Sequence, residues 1–267
     1  MTSYIELSNL DLALASLLLV MNGILSMVLG LGVTRQLAIA AVRMVIQLAL
    51  VALVLEILFT QTSLGLTLGA GLIMALVAGY EALARQERRL KGWWAYGLGT
   101  TALLIAGGLV ILLTLTVFVR PDPVYDPRYA IPLFGMILGN CLTGVSLGLD
   151  TLTTGVARER SSIEARLLLG ETRYQALNAV ARRAVRTGMM PLINSMAATG
   201  IVSLPGMMTG QILAGIQPGE AARYQILIMM LLAGATALGV IMAVGAGMYR
   251  LTDDRHRLRL DRLLDRL

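Results

Sequence analysis

The sequence has 267 residues, of which 57% are hydrophobic and only 14% charged, and its formal net charge is +6. This composition indicates a protein that crosses a membrane several times, and in such a chain the positive charge reflects membrane orientation and anionic lipid, so we expect no nucleic acid partner. One cysteine and one histidine exclude an intrachain disulfide and leave too few residues for a Cys/His zinc site or a histidine dyad.

Seven hydrophobic segments predict an all-α polytopic membrane protein with about seven transmembrane helices. In chain order the segments are 10–32, 37–59, 64–84, 95–119, 131–149, 192–215 and 224–249. At 1.5 Å per residue, such lengths suit a hydrocarbon core of about 30 Å. No Lys or Arg precedes Arg35, so the first segment lacks the basic region of a signal peptide and we expect it to be retained.

The distribution of cations predicts the orientation of these helices. With seven spans, 18 Lys and Arg side chains fall on the side of the C-terminus and three on the other side, and Arg43 lies within a span. Because cytoplasmic loops are enriched in Lys and Arg, this places the N-terminus outside and the C-terminus in the cytosol. We expect a multi-pass protein of the bacterial inner membrane.

The domain organisation follows from the polar interruptions. We predict a transmembrane permease domain over 1–249, with a cytosolic hairpin inserted at 158–191. Residues 250–267 then form an amphipathic, arginine-rich cytosolic tail. Pro191 marks the predicted return of the chain into the membrane.

The hairpin reads as two short helices joined at a glycine. The hydroxyl pair Ser161–Ser162 can cap the first helix, and Gly170 can end it. Thr172 and Gln175 have the capping-box spacing, so a second helix is expected to start at once. Such a rigid knob between membrane spans is a surface on which a soluble partner could push.

Two polar residues lie within the second predicted span. Arg43 and Gln47 are one helical turn apart and share a face. Intramembrane charge is often functional, so both are candidates for a translocation pathway. The alternatives are that Arg43 extends its side chain to the inner interface, or pairs with Glu81 near the inner end of the third span.

The sixth predicted span has the most unusual local chemistry. Its pathway candidates are Ser203, Pro205, Gly206, Met207, Met208 and Gln211. A proline in mid-helix removes a hydrogen bond and clashes with a preceding carbonyl, so we expect a hinge at Pro205 and Gly206. Met208 and Gln211 share a face and are favoured over Met207 if one face alone is wet. The alternative is a kink surrounded by core methionines.

A second cluster lies on the fifth predicted span, where Asn140 is a further pathway candidate beside Met136 and Cys141. The metal site is unknown at this level, and its candidate ligands are Met208, Met207, Met136 and Cys141. Packing is the alternative role for each of these thioethers and for the thiol.

Two stretches carry a resemblance to a known family. Glu164 and Ala165, followed by Gly170, resemble the loop with which ABC-transporter permeases dock on their ATPase subunits, although Arg166 replaces a second alanine. The stretch 202–226, with Ser-Leu-Pro-Gly-Met-Met-Thr-Gly at its start, is similar to the signature of the FetB-type iron-export permeases. That family includes plant membrane proteins linked to aluminium tolerance.

The resemblance implies a permease that exports iron or another metal by alternating access, as a homodimer with two separate ATP-binding subunits. Glu164, Ala165 and Gly170 would be its ATPase-coupling residues. Alternatives are an ABC exporter of another cargo, such as a metal chelate, a sugar nucleotide or a lipid, or a non-transporting membrane scaffold or sensor.

The residues themselves exclude a Walker-type ATPase within this chain. The phosphate-binding loop needs a lysine that follows a glycine, and Lys91, the one lysine, follows Leu90. We therefore expect no ATP site in this chain, and the resemblance implies ATP and Mg on the partner subunit. Because no span offers a paired acid–base or histidine-rich site, we expect no catalytic residues, no cofactor and no enzyme activity in this chain.

Overall fold

The computed structural model describes residues 8–264, which form nine α-helices and no strand. The helices are α1 (Asn9–Val28), α2 (Thr34–Thr60), α3 (Leu64–Ala84), α4 (Trp93–Leu113), α5 (Pro127–Arg158), α6 (Arg160–Leu168), α7 (Arg173–Ala198), α8 (Gly206–Leu213) and α9 (Pro218–Arg250). A π-helical turn extends α4 to Val119. Six helices, α1 to α5 and α9, are long and apolar enough to cross a membrane. The predicted all-α polytopic membrane fold is confirmed.

The described chain divides into two compact units. The first contains α1, α2 and Leu213–Ile216. Its first helix begins with a capping box, in which the Asp11 backbone N–H donates to the Ser8 hydroxyl and the Ser8 N–H donates to the Asp11 carboxylate. Between its helices, Gly30 and Gly32 adopt positive φ angles of 62° and 70°, which permits the very short connection.

The second unit is built around α5, which packs against α3, α4, α7 and α9. Small residues allow α5 and α7 to approach closely: a Cβ added at Gly188 would lie 2.6 Å from the Gly144 carbonyl oxygen. Van der Waals packing of this kind is what holds helices together where lipid tails are as apolar as leucine. The unit therefore depends on glycine at these crossings.

The contacts along α5 fix the direction of its neighbours. Helix α7 is antiparallel to α5, because Gly155 meets Val180 and Gly144 meets Gly188. Continuing this register puts Ala198, the end of α7, near the level of Phe134 in the first turns of α5.

Helix α9 runs parallel to α5, since Gly144 of α5 contacts Val240 and Gly247 of α9 contacts Leu152. The N-terminal turns of α5 and α9 therefore lie at one end of the unit, and the C-termini of both helices lie together at the other end.

The C-terminal segment folds back onto the α3–α4 connection. Leu90 and Leu263 form an antiparallel bridge, and the Lys91 N–H donates to the Arg262 carbonyl at 2.7 Å. The Arg173 N–H, at the start of α7, donates to His256 Nδ1 at 3.2 Å. The α3–α4 connection, the α6–α7 hairpin and the tail therefore meet at one end of the unit, called here the hairpin end.

This arrangement corrects the predicted sixth span. Because α9 runs from Pro218 to the hairpin end, the chain between the hairpin and Gln217 must pass to the opposite end. Helix α7 makes this passage, and it continues through Pro191 instead of returning there. The predicted helix 192–215 is wrong, since Thr199–Pro205 is not helical and α8 has only eight residues. The arginines in the first half of α7 lower its hydropathy and concealed the crossing.

Candidate functional site

The hairpin turn is formed at Gly170, as its sequence predicts. Gly170 has a φ angle of 92°, its N–H donates to the Leu167 carbonyl, and the Glu171 N–H donates to the Arg166 carbonyl. This pair of bonds is typical of a helix that ends at a glycine, and it satisfies two carbonyls of the last turn. A residue with a Cβ would be strained at this backbone conformation.

The two helices of the hairpin differ in how their N-termini are capped. Thr172 and Gln175 form the predicted capping box at the start of α7. The predicted cap by Ser161–Ser162 is wrong, because α6 follows α5 almost without a break and both serines lie inside it. The Ile163 N–H already bonds to the Glu159 carbonyl, so no free helix end remains for a hydroxyl to cap.

The tip of the hairpin exposes two large apolar side chains that the sequence analysis did not single out. Leu168 is 88% exposed and Leu169 is 86% exposed, directly before the turn glycine. In the sequence, the feature that could have indicated this exposed pair is that two leucines are adjacent at the end of a polar segment. Exposed apolar residues grouped on a polar surface are typical of protein contacts.

Polar residues complete the surface of the tip. Glu164 bonds to Arg160 at 2.8 Å, and Ala165 is exposed beside it. A groove of about 370 Å³ runs between the two helices and is lined by Arg166, Glu171, Gln175, Asn178, Ala179 and Arg182. The three predicted coupling residues therefore lie on one accessible hairpin.

The hairpin is anchored firmly to the rest of the unit. Ile163 of α6 is 2% exposed and belongs to the hydrophobic core. Glu159 at the end of α5 pairs with Arg183 of α7 at 2.6 Å. The guanidinium of Arg173 stacks on Tyr249 with its Cζ 4.9 Å from the ring centroid. A displacement of the tip would therefore be passed to α5, α7 and α9.

The chain between α7 and α8 forms a tight loop at the end opposite the hairpin. Gly200 has a φ angle of 88°, and its N–H donates to the Ser203 carbonyl at 2.9 Å. Pro205 does not lie within a helix, so the predicted mid-helix kink at Pro205 and Gly206 is wrong. Pro205 precedes α8 and its carbonyl accepts from the Thr209 N–H, a position that suits the fixed φ of proline.

The pathway candidates of this region have different surroundings. Ser203 is exposed in the loop, whereas Met207, Met208 and Gln211 are half-buried. Met207 packs against the hydrophobic core. The Gln211 Oε1 atom is buried and has no hydrogen-bond donor among residues 8–264. The face that carries Met208 and Gln211 remains the predicted wet face.

A further glutamine belongs to the same end of the molecule. Gln225, at the start of the third turn of α9, is 6% exposed, and its Oε1 atom also has no donor in the described chain. In the sequence, Gln225 could have been noticed as an amide in an otherwise apolar helix. Its burial could not be predicted, because burial depends on the neighbouring helices. Two buried amide oxygens without a donor are oxygen ligands available to a cation.

The three residues of the predicted cluster on α5 have different surroundings. Cys141 is fully buried and its Sγ atom lies 3.9 Å from the Thr236 hydroxyl, whereas Met136 is partly buried against the core. Asn140 donates to the Met136 carbonyl of its own helix at 2.9 Å. Cys141 therefore packs between α5 and α9.

The remaining candidates, Arg43 and Gln47, lie one turn apart on α2 in the first unit, where both side chains are exposed. Within residues 8–264, no group of three or more His, Cys, Asp or Glu side chains could hold a metal ion.

Comparison with known proteins gives consistent matches along the chain. Residues 9–252 match the family model described as "Uncharacterised protein family (UPF0014)". The "Probable iron export permease protein FetB" of Escherichia coli is 31% identical over 259 residues, which is 97% of each chain. A UPF0014 membrane protein of Synechocystis is 37% identical over 85% of this chain and 87% of its own length. "Protein ALUMINUM SENSITIVE 3" of Arabidopsis thaliana is 32% identical over 86% of this chain and 82% of its own length. No solved structure matches the chain.

Proposed function

The chain belongs to the UPF0014 membrane protein family, and from this premise we propose that it is the permease subunit of an ABC exporter for iron or another metal. It lies in the bacterial inner membrane with its C-terminus in the cytosol. A separate ATP-binding subunit supplies the energy, and two copies of the permease enclose the pathway. The near full-length similarity to the probable iron export permease of Escherichia coli supports the cargo class.

The observation that carries this proposal is the hairpin formed by α6 and α7. Helix α5 has 32 residues, about 48 Å in length, and therefore exceeds the hydrocarbon core of about 30 Å. The C-terminal part of α5 would therefore extend beyond the membrane and carry the hairpin that follows it. Leu168 and Leu169, exposed at the tip beside a polar groove, supply an apolar anchor with a polar rim for a soluble partner.

The hairpin can also transmit force. Helix α7 runs from the turn at Gly170 through the unit to Ala198 without interruption, and the loop that carries Ser203 follows at once. ATP-driven closure of the motor subunits would move the tip, and the long helix would move the loop and α8. Alternating access then follows from rigid-body displacement of packed helices.

Neutral ligands would hold the cargo along the translocation pathway. Gln211 and Gln225 each offer a buried amide oxygen without a donor, and Met208 offers a thioether on the face of Gln211. Neutral oxygen and sulfur ligands bind a metal less tightly than carboxylate or thiolate groups. A transporter needs a site of this kind, because its cargo must leave again.

The test is a double variant, Leu168→Glu with Leu169→Glu, in the complex of the permease with its ATP-binding subunit in lipid vesicles. Each leucine that no longer buries its side chain should weaken docking by at least about tenfold. We therefore expect metal-stimulated ATP hydrolysis and export to be lost, while the permease inserts and unfolds at the wild-type temperature.

The matched control is Leu264→Glu, which changes an exposed leucine of the tail at the same end of the molecule. It should leave hydrolysis and export unchanged. Normal export by the double variant would show that the hairpin tip is not the docking surface.

A further inference from the structure

A cavity lies where α9 ends and α4 begins, at the hairpin end of the second unit. It has a volume of about 350 Å³, and its walls include Trp94, Tyr249, Arg250 and Arg262. Asp253 and Asp254 line its other side. The ends of two membrane-spanning helices mark the depth of the lipid headgroups, and Trp and Tyr are enriched at this depth.

Each aspartate of the tail in this region has an arginine partner. Asp253 pairs with Arg257 at 2.9 Å, Asp254 with Arg173 at 3.5 Å, and Asp261 with Arg259 at 2.9 Å. The hydrogen bonds from Arg259 lower the pKa of Asp261 to about 2. Each of these three carboxylates is therefore in an ion pair with an arginine other than Arg250 and Arg262.

Arg250 and Arg262 are the two cations of the cavity that form no ion pair with a carboxylate among residues 8–264, although the charge of Asp261 acts on both. The Arg250 guanidinium stacks on Trp94 with its Cζ 4.8 Å from the ring centroid, and its Nε atom is buried without an acceptor. Arg262 donates to the carbonyls of Arg250 and Thr252 at 2.7 and 3.3 Å. Two neighbouring positive charges on one cavity favour an anion between them.

An apolar groove continues from the same place along the membrane-spanning surface. It lies between α4 and α9, has a volume of about 340 Å³, and is lined by Trp93, Trp94, Gly97, Leu98, Met242 and Ala246 among others. Trp94 is a wall of both the cavity and the groove. Small residues such as Gly97 and Ala246 leave room for this groove between the two helices.

We propose that the cavity and the groove together bind one anionic phospholipid. The phosphate lies between Arg250 and Arg262, and one acyl chain lies in the α4–α9 groove beyond Trp94. Guanidinium groups form strong, often bidentate bonds with phosphate, and a charged cavity that opens into an apolar groove matches the two parts of a lipid. The bound lipid joins the tail to α4 and α9, independently of what the permease transports.

The test uses the full-length protein, stripped of lipid in detergent. Phosphatidylglycerol, phosphatidylcholine and inorganic phosphate are added separately, and the unfolding temperature and the lipid retained in native mass spectrometry are measured. We expect phosphatidylglycerol to be retained at one molecule per chain and to raise the unfolding temperature more than phosphatidylcholine. Arg250→Gln and Arg262→Gln should each weaken binding about fivefold.

A third variant acts on the groove without a change of charge. Ala246 is exposed in the unliganded chain, so Ala246→Leu fills the groove and should weaken lipid retention while the fold is kept. The matched controls are Arg255→Gln, which removes an exposed tail cation outside the cavity, and Ala15→Leu on α1. Both controls should bind as the wild type does.

Each contrary result overturns the proposal. Equal binding by Arg262→Gln, Ala246→Leu and the wild type would show that lipid binds without this site. An equal rise in unfolding temperature with inorganic phosphate would show a free anion site in place of a lipid site. If Arg250→Gln does not fold, the other two variants decide.

Discussion

Met207 and Met208 are adjacent in the sequence, but their side chains have different surroundings. Met207 belongs to the set that packs on the hydrophobic core, whereas Met208 shares its helical face with Gln211, whose amide oxygen has no donor in the described chain. The shared face was predictable from spacing alone. The buried amide oxygens of Gln211 and Gln225 were not, because burial depends on neighbouring helices.

This difference gives a prediction at the residue scale. Met208→Leu keeps side-chain volume and removes the sulfur, so stability should change by less than about 1.5 kcal/mol. We expect the apparent metal affinity in metal-stimulated ATP hydrolysis to fall at least about tenfold, as when a group that supports a metal ligand is lost. Met207→Leu is the matched control and should keep that affinity. Equal affinity in both variants would make Met208 a packing residue.

At the scale of elements, two local signals of the hairpin were read correctly, whereas the crossing by α7 and the position of Pro205 were not. The capping box of Thr172 and the turn at Gly170 depend on neighbours in sequence, and both are present. The crossing by α7 depends on its antiparallel contact with α5, which hydropathy cannot reveal in a helix whose first half carries arginine. Pro205 was read as a kink because proline has the same local signature before a helix and within one.

The α5–α7 crossing gives the prediction at this scale. A Cβ at Gly188 would lie 2.6 Å from the Gly144 carbonyl oxygen and 2.8 Å from Val240, so Gly188→Ala must separate the helices. We expect the free energy of unfolding to fall by about 1–3 kcal/mol, the usual cost of overpacking. Gly234→Ala is the control, since an added Cβ there meets no atom within 4 Å. Equal unfolding temperatures for the two variants in detergent would contradict the close crossing.

At the scale of the whole molecule, the crossing of the second unit by α7 follows from two contacts of the C-terminal tail. The tail pairs with the α3–α4 connection through Leu90 and Leu263, and the same tail bonds to Arg173 at the start of α7. Both ends of the α7–α9 region therefore lie at the hairpin end, and an even number of crossings must separate them. Helix α9 is one crossing, so α7 with its following loop is the other. In the second unit, α7 thus takes the place of the crossing predicted at 192–215, although it is not one of the six helices that are long and apolar enough to cross a membrane.

The orientation of these crossings gives the last prediction. Single cysteines at Asp122, Arg160 and Gln217, all exposed, are introduced into a Cys141→Ser background and labelled in intact cells with a maleimide that cannot cross the membrane. Cys141 is fully buried and serine is nearly the same size, so this substitution removes the one native thiol with little change of volume in the core. We expect Asp122→Cys and Gln217→Cys to react from outside, and Arg160→Cys to react once the membrane is opened, because Lys and Arg are concentrated in the α3–α4 connection, the hairpin and the tail, whereas the opposite end carries Arg120, Arg128 and Arg223. Labelling of Gln217→Cys together with Arg160→Cys would mean that α7 does not cross. Reaction of Arg160→Cys alone in intact cells would reverse the orientation and place the hairpin where no cytosolic motor could reach it.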